Sequence, residues 1–267
     1  MAAPHWTEIL ARLDRRPAAN GAPGVVVTDD VVAFAREVLG LRLDARQAEL
    51  LGTRSRQVIL NCTRQWGKST MAAAKAVHRA LRVAGSLTVI VAPSERQSAE
   101  LVATVRRFCG VAGVAVKGDG RNRASVVTPG GSRVVGLPAS EATTRGFAGA
   151  SLLIVDEASR VPDTVYQPMR AVLATTGGDL WLLSTPNGCN GFFYRTWVGG
   201  GDWFRVTATA EECPRILPAQ LALDRAEFSD AFFQQEYMCE FGDKDVALFR
   251  RVKLAAMVDG DLSGFNG

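Results

Sequence analysis

Short unbroken apolar blocks recur along this chain and alternate with stretches of helical spacing. The blocks are Gln57-Val-Ile-Leu-Asn61, Leu87-Thr-Val-Ile-Val-Ala92, Ser151-Leu-Leu-Ile-Val155 and Asp179-Leu-Trp-Leu-Leu-Ser184. An apolar run this short, bounded by turn residues, predicts a strand buried on both faces. Between the blocks, Lys68 to Arg82 is Ala-rich and free of Gly and Pro, which predicts a helix. Ser94 stands where an N-cap belongs, with a helix following over Arg96 to Cys109. Helical spacing also runs from Val31 to Leu39, stops at Gly40, and resumes from Ala45 to Leu51. Strands alternating with helices predict an α/β fold built on a parallel sheet with helices on both faces.

Two stretches break the pattern. Ala124 to Thr128 and Ser132 to Val135 flank Pro129-Gly-Gly131, which is a hairpin signal. Past Gly199-Gly-Gly201, Trp203 to Thr209 reads as a strand and Pro218 to Phe241 as two polar helices. These elements suggest a small subdomain attached to the sheet. Before the first helix, Met1 to Arg16 reads as an amphipathic helix or an arm ending at Pro17 to Pro23.

Chemistry enters between the first strand and the helix that follows it. Thr63-Arg64-Gln65-Trp66-Gly67-Lys68-Ser69-Thr70 sits where a phosphate-binding loop belongs. Loop N–H groups and a helix N-terminus attract phosphate oxygens. Lys68 is positioned to reach the β- and γ-phosphates, and the Ser69 hydroxyl to ligate Mg2+. The first Gly of the usual pattern is replaced by Cys62. A metal-holding carboxylate is then expected at the end of another strand. Asp156, after Leu152 to Val155, supplies it, and Glu157 is the candidate acceptor of a proton from an attacking water. One Mg·ATP site accounts for both motifs.

Composition narrows the class. In 267 residues, 47% are hydrophobic and 22% charged, enough to bury a core and too apolar for a wholly disordered chain. No window reaches the ~18 apolar residues of a membrane span, and the five Cys form no Cys-x-x-Cys pair, so they read as small hydrophobes in a soluble, intracellular protein. His78 reads as a packing or surface group. The whole chain carries only +4, but residues 101 to 150 hold Arg106, Arg107, Lys117, Arg121, Arg123, Arg133 and Arg145 against Asp119 and Glu141, a net +5. Such a cluster suits contacts to nucleic-acid phosphates without sequence reading. Aromatics there are sparse (Phe108 and Phe147), which favours double-stranded over single-stranded DNA.

The order of motifs resembles the N-terminal ATPase domain of tailed-bacteriophage large terminases, over roughly residues 30 to 245. Gln47 in Leu43-Asp-Ala-Arg-Gln47 resembles the upstream Gln of that family that reads adenine. Arg64 to Thr70 is similar to its variant phosphate loop. Ala92-Pro-Ser-Glu-Arg-Gln97, Arg145-Gly146, Ser184-Thr-Pro-Asn-Gly188 and Phe233-Gln-Gln-Glu-Tyr237 to Phe241 resemble later elements.

The resemblance implies a P-loop NTPase of the ASCE/RecA-like type with a C-terminal lid subdomain. The implied parse is an arm (1–29), an ATPase core (30–200), a lid or linker (201–245) and a tail (246–267), with the family's nuclease domain expected to be absent. It implies Mg-dependent ATP hydrolysis driving double-stranded DNA into a procapsid, by a homo-oligomeric ring in the host cytoplasm that meets a portal protein and a small terminase. Arg64 acting in cis and Arg145 acting across a subunit interface compete as the arginine finger. Ser184 and Thr185 form the implied coupling element, with Thr185 sensing the γ-phosphate. Two other readings stay open: a helicase-like DNA-dependent ATPase, and a nucleotide-binding scaffold that does not hydrolyse.

Overall fold

A computed structural model describes residues 27–140 and 147–242. A seven-stranded sheet organises them. Its strands are β1 (Gln57–Cys62), β2 (Leu87–Ala92), β3 (Ala124–Val127), β4 (Arg133–Pro138), β5 (Leu152–Asp156), β6 (Asp179–Ser184) and β7 (Phe204–Ala208). In space they run β3-β4-β2-β5-β6-β1-β7. All neighbours pair in parallel except β3, which runs antiparallel to β4 from Ala124↔Gly136 to Val127↔Arg133.

The apolar blocks are continuous because both sheet faces are covered. Within β1, Val58 and Leu60 join one core layer while Ile59 joins the other; within β5, Leu152 and Ile154 alternate with Leu153 and Val155 in the same way. Fully burying each such side chain is worth roughly 1.5–3 kcal/mol. The first layer is closed by Phe34, Leu50, Met71, Leu101, Val105 and Phe108, and the second by Val165, Tyr166, Met169, Phe192 and Phe193.

The helices that matter to the site are α1 (Ala45–Gly52), α2 (Lys68–Arg82), α3 (Glu95–Val111), α4 (Asp163–Arg170), α5 (Gly191–Val198), α6 (Pro218–Glu227) and α7 (Asp230–Glu236). Ser94 caps α3, its Oγ accepting from Gln97 N at 3.3 Å. The stretch from Val31 differs from the expected plain helix. It makes one short α segment, Val31–Ala33, and then a π-helical turn, Phe34–Val38, in which Leu39 N donates to Phe34 O.

The strand expected beyond Gly201 exists as β7, but it pairs with β1 from Val58↔Phe204 to Cys62↔Ala208. The main sheet therefore takes its edge strand from the stretch 201–245. The chain up to Cys239 then folds back over the carboxyl end of β1. Ala210 N donates to Tyr237 O at 2.7 Å, and Asn61 Nδ2 donates to Cys239 O at 2.8 Å. Residues 1–26, Arg145 and the tail beyond 242 lie outside the described residues, and with them the expected arm and the candidate trans finger. Among the described residues no helix is long and apolar enough to cross a membrane.

Candidate nucleotide site

Three neighbouring parallel strands, β5, β6 and β1, end at one edge of the sheet and bring the predicted site residues together there. Beyond β1 the chain makes the loop and enters α2. Gly67 takes φ +98°, and a Cβ there would lie 3.2 Å from Gln47 Nε2. A residue with a side chain would be both strained and crowded. Gln65 also has a positive φ, +63°.

Lys68 is buried, and its Nζ donates to the carbonyls of Cys62 (2.8 Å) and Thr63 (3.0 Å). Its charge is thus held inside the curve of the loop. Ser69 Oγ donates to Asp156 Oδ2 at 3.3 Å, bridging from α2 to the end of β5, and Thr70 follows in the first turn of α2. Burial, and then the neighbouring Glu157 charge, push Asp156 up to about 6.

Glu157 begins a tight turn with φ +50° and ψ +44°, and its N–H donates to Asp156 Oδ1 at 3.2 Å. A left-handed non-Gly residue stores backbone strain of order 1–3 kcal/mol, a cost common at functional sites. Among the described residues its buried Oε2 has no hydrogen-bond partner. From β6, Ser184 Oγ donates to Ser159 Oγ at 2.7 Å and accepts from Ser159 N at 3.2 Å. The turn carrying Glu157 is thereby pinned to the end of β6. Next to Ser184, the fully buried Thr185 Oγ1 has no hydrogen-bond partner among the described residues. Two oxygens with spare hydrogen-bonding capacity, Glu157 Oε2 and Thr185 Oγ1, thus belong to the ends of β5 and β6.

Several expected roles change in detail. Trp66 is buried at 1% exposure among core side chains, so its ring cannot face a ligand; only its backbone belongs to the loop. Gln47 is also buried, and both ends of its amide are engaged. Nε2 donates to Trp66 O at 2.8 Å, while Oε1 accepts from Asp44 N in the capping box that starts α1. As seen here Gln47 braces the loop. Arg64 turns to Glu236 of α7, with Nε to Oε2 at 2.7 Å, and Thr63 Oγ1 donates to Glu236 O at 2.9 Å. Arg215, which no motif marked, donates to the carbonyls of Gln65 (3.0 Å from Nε) and Trp66.

The basic stretch is less free than its charge count suggested. Arg106 donates to Ser125 O at 2.6 Å, Arg133 pairs with Asp119 at 2.8 Å, and Arg123 lies 3.6 Å from Glu95. Arg107 and Arg121 are exposed and make no ion pair among the described residues. His78 packs edge-on against Phe34 and bonds Thr28 O. Burial pushes the Cys62 and Cys109 thiols up and Cys239 up to about 12, as inert small hydrophobes require.

The family profile described as terminase large subunit, T4likevirus-type, N-terminal matches residues 59–256. The chain belongs to the terminase large-subunit family. Solved structures agree in fold. The large terminase ATPase domain of Thermus phage P74-26 is 23% identical with a TM-score of 0.67, over 78% of this chain and 97% of that one. The HK97 bacteriophage large terminase is 16% identical with a TM-score of 0.66, over 80% of this chain and 55% of that one. The large terminase of a thermophilic bacteriophage, solved with ADP, is 12% identical with a TM-score of 0.62, over 79% and 52%. The chain thus spans about half the length of these last two proteins. No curated protein matches. The terminase assignment and the sheet together make the fold that of a P-loop NTPase.

Proposed function

We propose that this chain binds Mg·ATP at the ends of β1, β5 and β6, hydrolyses it, and uses the cycle to drive double-stranded DNA into a viral procapsid. One observation carries the reading. Ser69 and Asp156 come from elements far apart in sequence and meet at 3.3 Å, beside a left-handed Glu157 whose Oε2 accepts no hydrogen bond among the described residues. The thermophilic-phage terminase has been solved with ADP and with ATP-gamma-S, which supports nucleotide binding by a chain of this fold.

The donor set fits Mg2+. A hydroxyl and one carboxylate leave room for waters and phosphate oxygens, as that ion prefers. Ser69 and Asp156 would hold it, and when bound it neutralises phosphate charge. Lys68 then leaves its two loop carbonyls for the β- and γ-phosphates, while N–H groups of the loop from Thr63 to Thr70 cradle them. Glu157 orients a water and takes its proton. Arg64 or Arg145 steadies the charge that develops on the γ-phosphoryl group, and Thr185 senses its loss. Gln47 contacts adenine only by releasing Trp66 O.

In this reading residues 30–200 with β7 form the motor core, and the helices to residue 245 form the lid. The subunits act as a homo-oligomeric ring in the host cytoplasm, with portal and small terminase proteins as partners. Arg107 and Arg121 are the side chains best placed to touch DNA phosphates; Arg106, Arg123 and Arg133 contribute only by leaving their present partners.

The test is Mg-dependent ATP hydrolysis per subunit against protein concentration, for the wild type, Lys68→Ala and Arg145→Ala. The expected result is specific activity that climbs with concentration, is absent in Lys68→Ala, and stays flat and near zero in Arg145→Ala. Turnover that survives Lys68→Ala would refute the site. Turnover independent of concentration and intact in Arg145→Ala would move the finger to Arg64 and weaken the ring.

A further inference from the structure

Four charges lie in a row at the back of the candidate site. Arg64 Nε binds Glu236 Oε2 at 2.7 Å, Glu236 Oε1 lies 3.6 Å from Arg160 Nη2, and Arg160 Nε lies 3.7 Å from Glu157 Oε2. They come from three separate places: the phosphate loop, the last residue of α7, and the turn after β5. Glu236 is 5% exposed, so its carboxylate needs cations to offset the cost of leaving water. Arg64 meets that need with a hydrogen bond. Arg160 is a second cation, and it is shared.

Arg160 is fixed to Glu157 through the backbone as well. The left-handed turn at Glu157 returns the chain so that Arg160 N donates to Glu157 O at 2.9 Å. Among the described residues Arg160 is the one ion-pair partner of Glu157. Neither contact of its guanidinium with a carboxylate is a hydrogen bond, so a small shift toward one carboxylate loosens the other. The Arg160 side chain is 37% exposed, and it belongs to neither core layer.

We propose that Arg160 is a positioning residue that ties the setting of the Glu157 carboxylate to helix α7 through Glu236. When α7 holds Glu236 in place, Arg160 is divided between the two acids and holds the Glu157 carboxylate turned so that one oxygen faces the water; without Arg160 that orientation is lost. When Glu236 is withdrawn or neutralised, Arg160 belongs to Glu157 alone and draws that oxygen out of use. The position of the segment over β1 thus governs the base. This inference rests on Glu157 being the base.

The experiment is steady-state ATP turnover and binding of a non-hydrolysable ATP analogue, with thermal unfolding as a check on folding. The variants are Arg160→Ala, Arg160→Lys, Glu236→Gln, the Arg160→Ala/Glu236→Gln double, and Glu157→Gln. Arg160→Ala is expected to lower kcat about 10-fold with analogue affinity within about twofold, and Arg160→Lys to recover most of the loss. Glu236→Gln should also lower kcat, and by less in the Arg160→Ala background than alone, because the link is already cut. If Arg160→Ala turns over like the wild type while Glu157→Gln is dead, the base assignment stands and this proposal falls. Strictly additive effects of Arg160→Ala and Glu236→Gln overturn it too. If Glu157→Gln keeps turnover, the base assignment and the proposal fall together.

Discussion

The loop edge and the basic hairpin edge of the same sheet were both singled out by charged residues, and they turn out differently. At the loop edge, residues from three strands converge, and two buried oxygens, Glu157 Oε2 and Thr185 Oγ1, are left unsatisfied. At the hairpin edge, β3 and β4 with the end of α3, most of the charge is already spent. Asp119 alone gathers Arg133, the backbone N–H groups of Arg121 and Asn122, and Ser125 Oγ. Unmet hydrogen-bonding capacity in a buried place is costly unless a ligand uses it. The difference separates a motif from a count: a motif with fixed spacing carries geometry, whereas a tally of arginines carries none until their partners are known.

The largest effect should come from the loop edge. Glu157→Gln is expected to slow ATP turnover by roughly 100- to 10,000-fold, the usual range for removing a general base. Analogue affinity should barely change, since the amide keeps the shape of the turn. Single-turnover kinetics with bound ATP checks this. Chemistry as fast as in the wild type would strip the loop edge of its advantage over the hairpin edge.

How far each edge was legible follows from the range of the interactions. The strands β1, β2, β5 and β6 were readable because burial on both faces writes an unbroken apolar run, and Ser94 because capping acts over three residues. That Lys68, Ser69, Asp156 and Glu157 gather at one end of the sheet was readable, because residues that directly follow apolar strands of one parallel sheet finish on the same side of it. The place of β7 was not, since a local pattern predicts a strand without naming its neighbour β1. The direction of the Trp66 ring was not readable either, because a loop position does not tell whether a side chain points into the core. Arg160 and Arg215 carried no signal, as an isolated arginine in a polar stretch looks like any solvated one. Glu236 stood inside a recognised motif, yet its two arginine partners are 76 and 172 positions away.

A moderate effect should sort the arginines of the hairpin edge. Arg107→Ala and Arg121→Ala are each expected to weaken double-stranded DNA binding several-fold and to lower the slope of log affinity against log salt by about 1. Arg133→Ala should instead lower the unfolding free energy by about 1–3 kcal/mol, because Asp119 loses a charged partner while staying largely buried. Salt titrations of DNA binding, beside denaturant unfolding, separate the two classes. Equal salt slopes for Arg121→Ala and Arg133→Ala would mean that the ion pair opens on DNA, and the hairpin would regain the freedom its charge count suggested.

The smallest effect concerns pH at the same edge. Burial pushes the Asp119 carboxyl up, but hydrogen bonds from the Asn122 backbone, Arg133, the Asn122 side chain and the Arg121 backbone outweigh it and hold the group well below its ordinary value near 3.8. The sign follows from linkage. A folded state that binds the proton more weakly than the unfolded chain gains stability wherever the carboxylate is charged. That contribution is complete above the ordinary value and is lost as pH falls from there toward the lower folded-state value. Asp119→Asn should therefore be less stable than the wild type at neutral pH, with the gap narrowing as pH drops below about 4. Unfolding midpoints of the two proteins from neutral to acid pH measure it. A gap that stays constant across that range would mean that Asp119 works through shape alone, and the hairpin edge would then owe nothing to the charge that first drew notice to it.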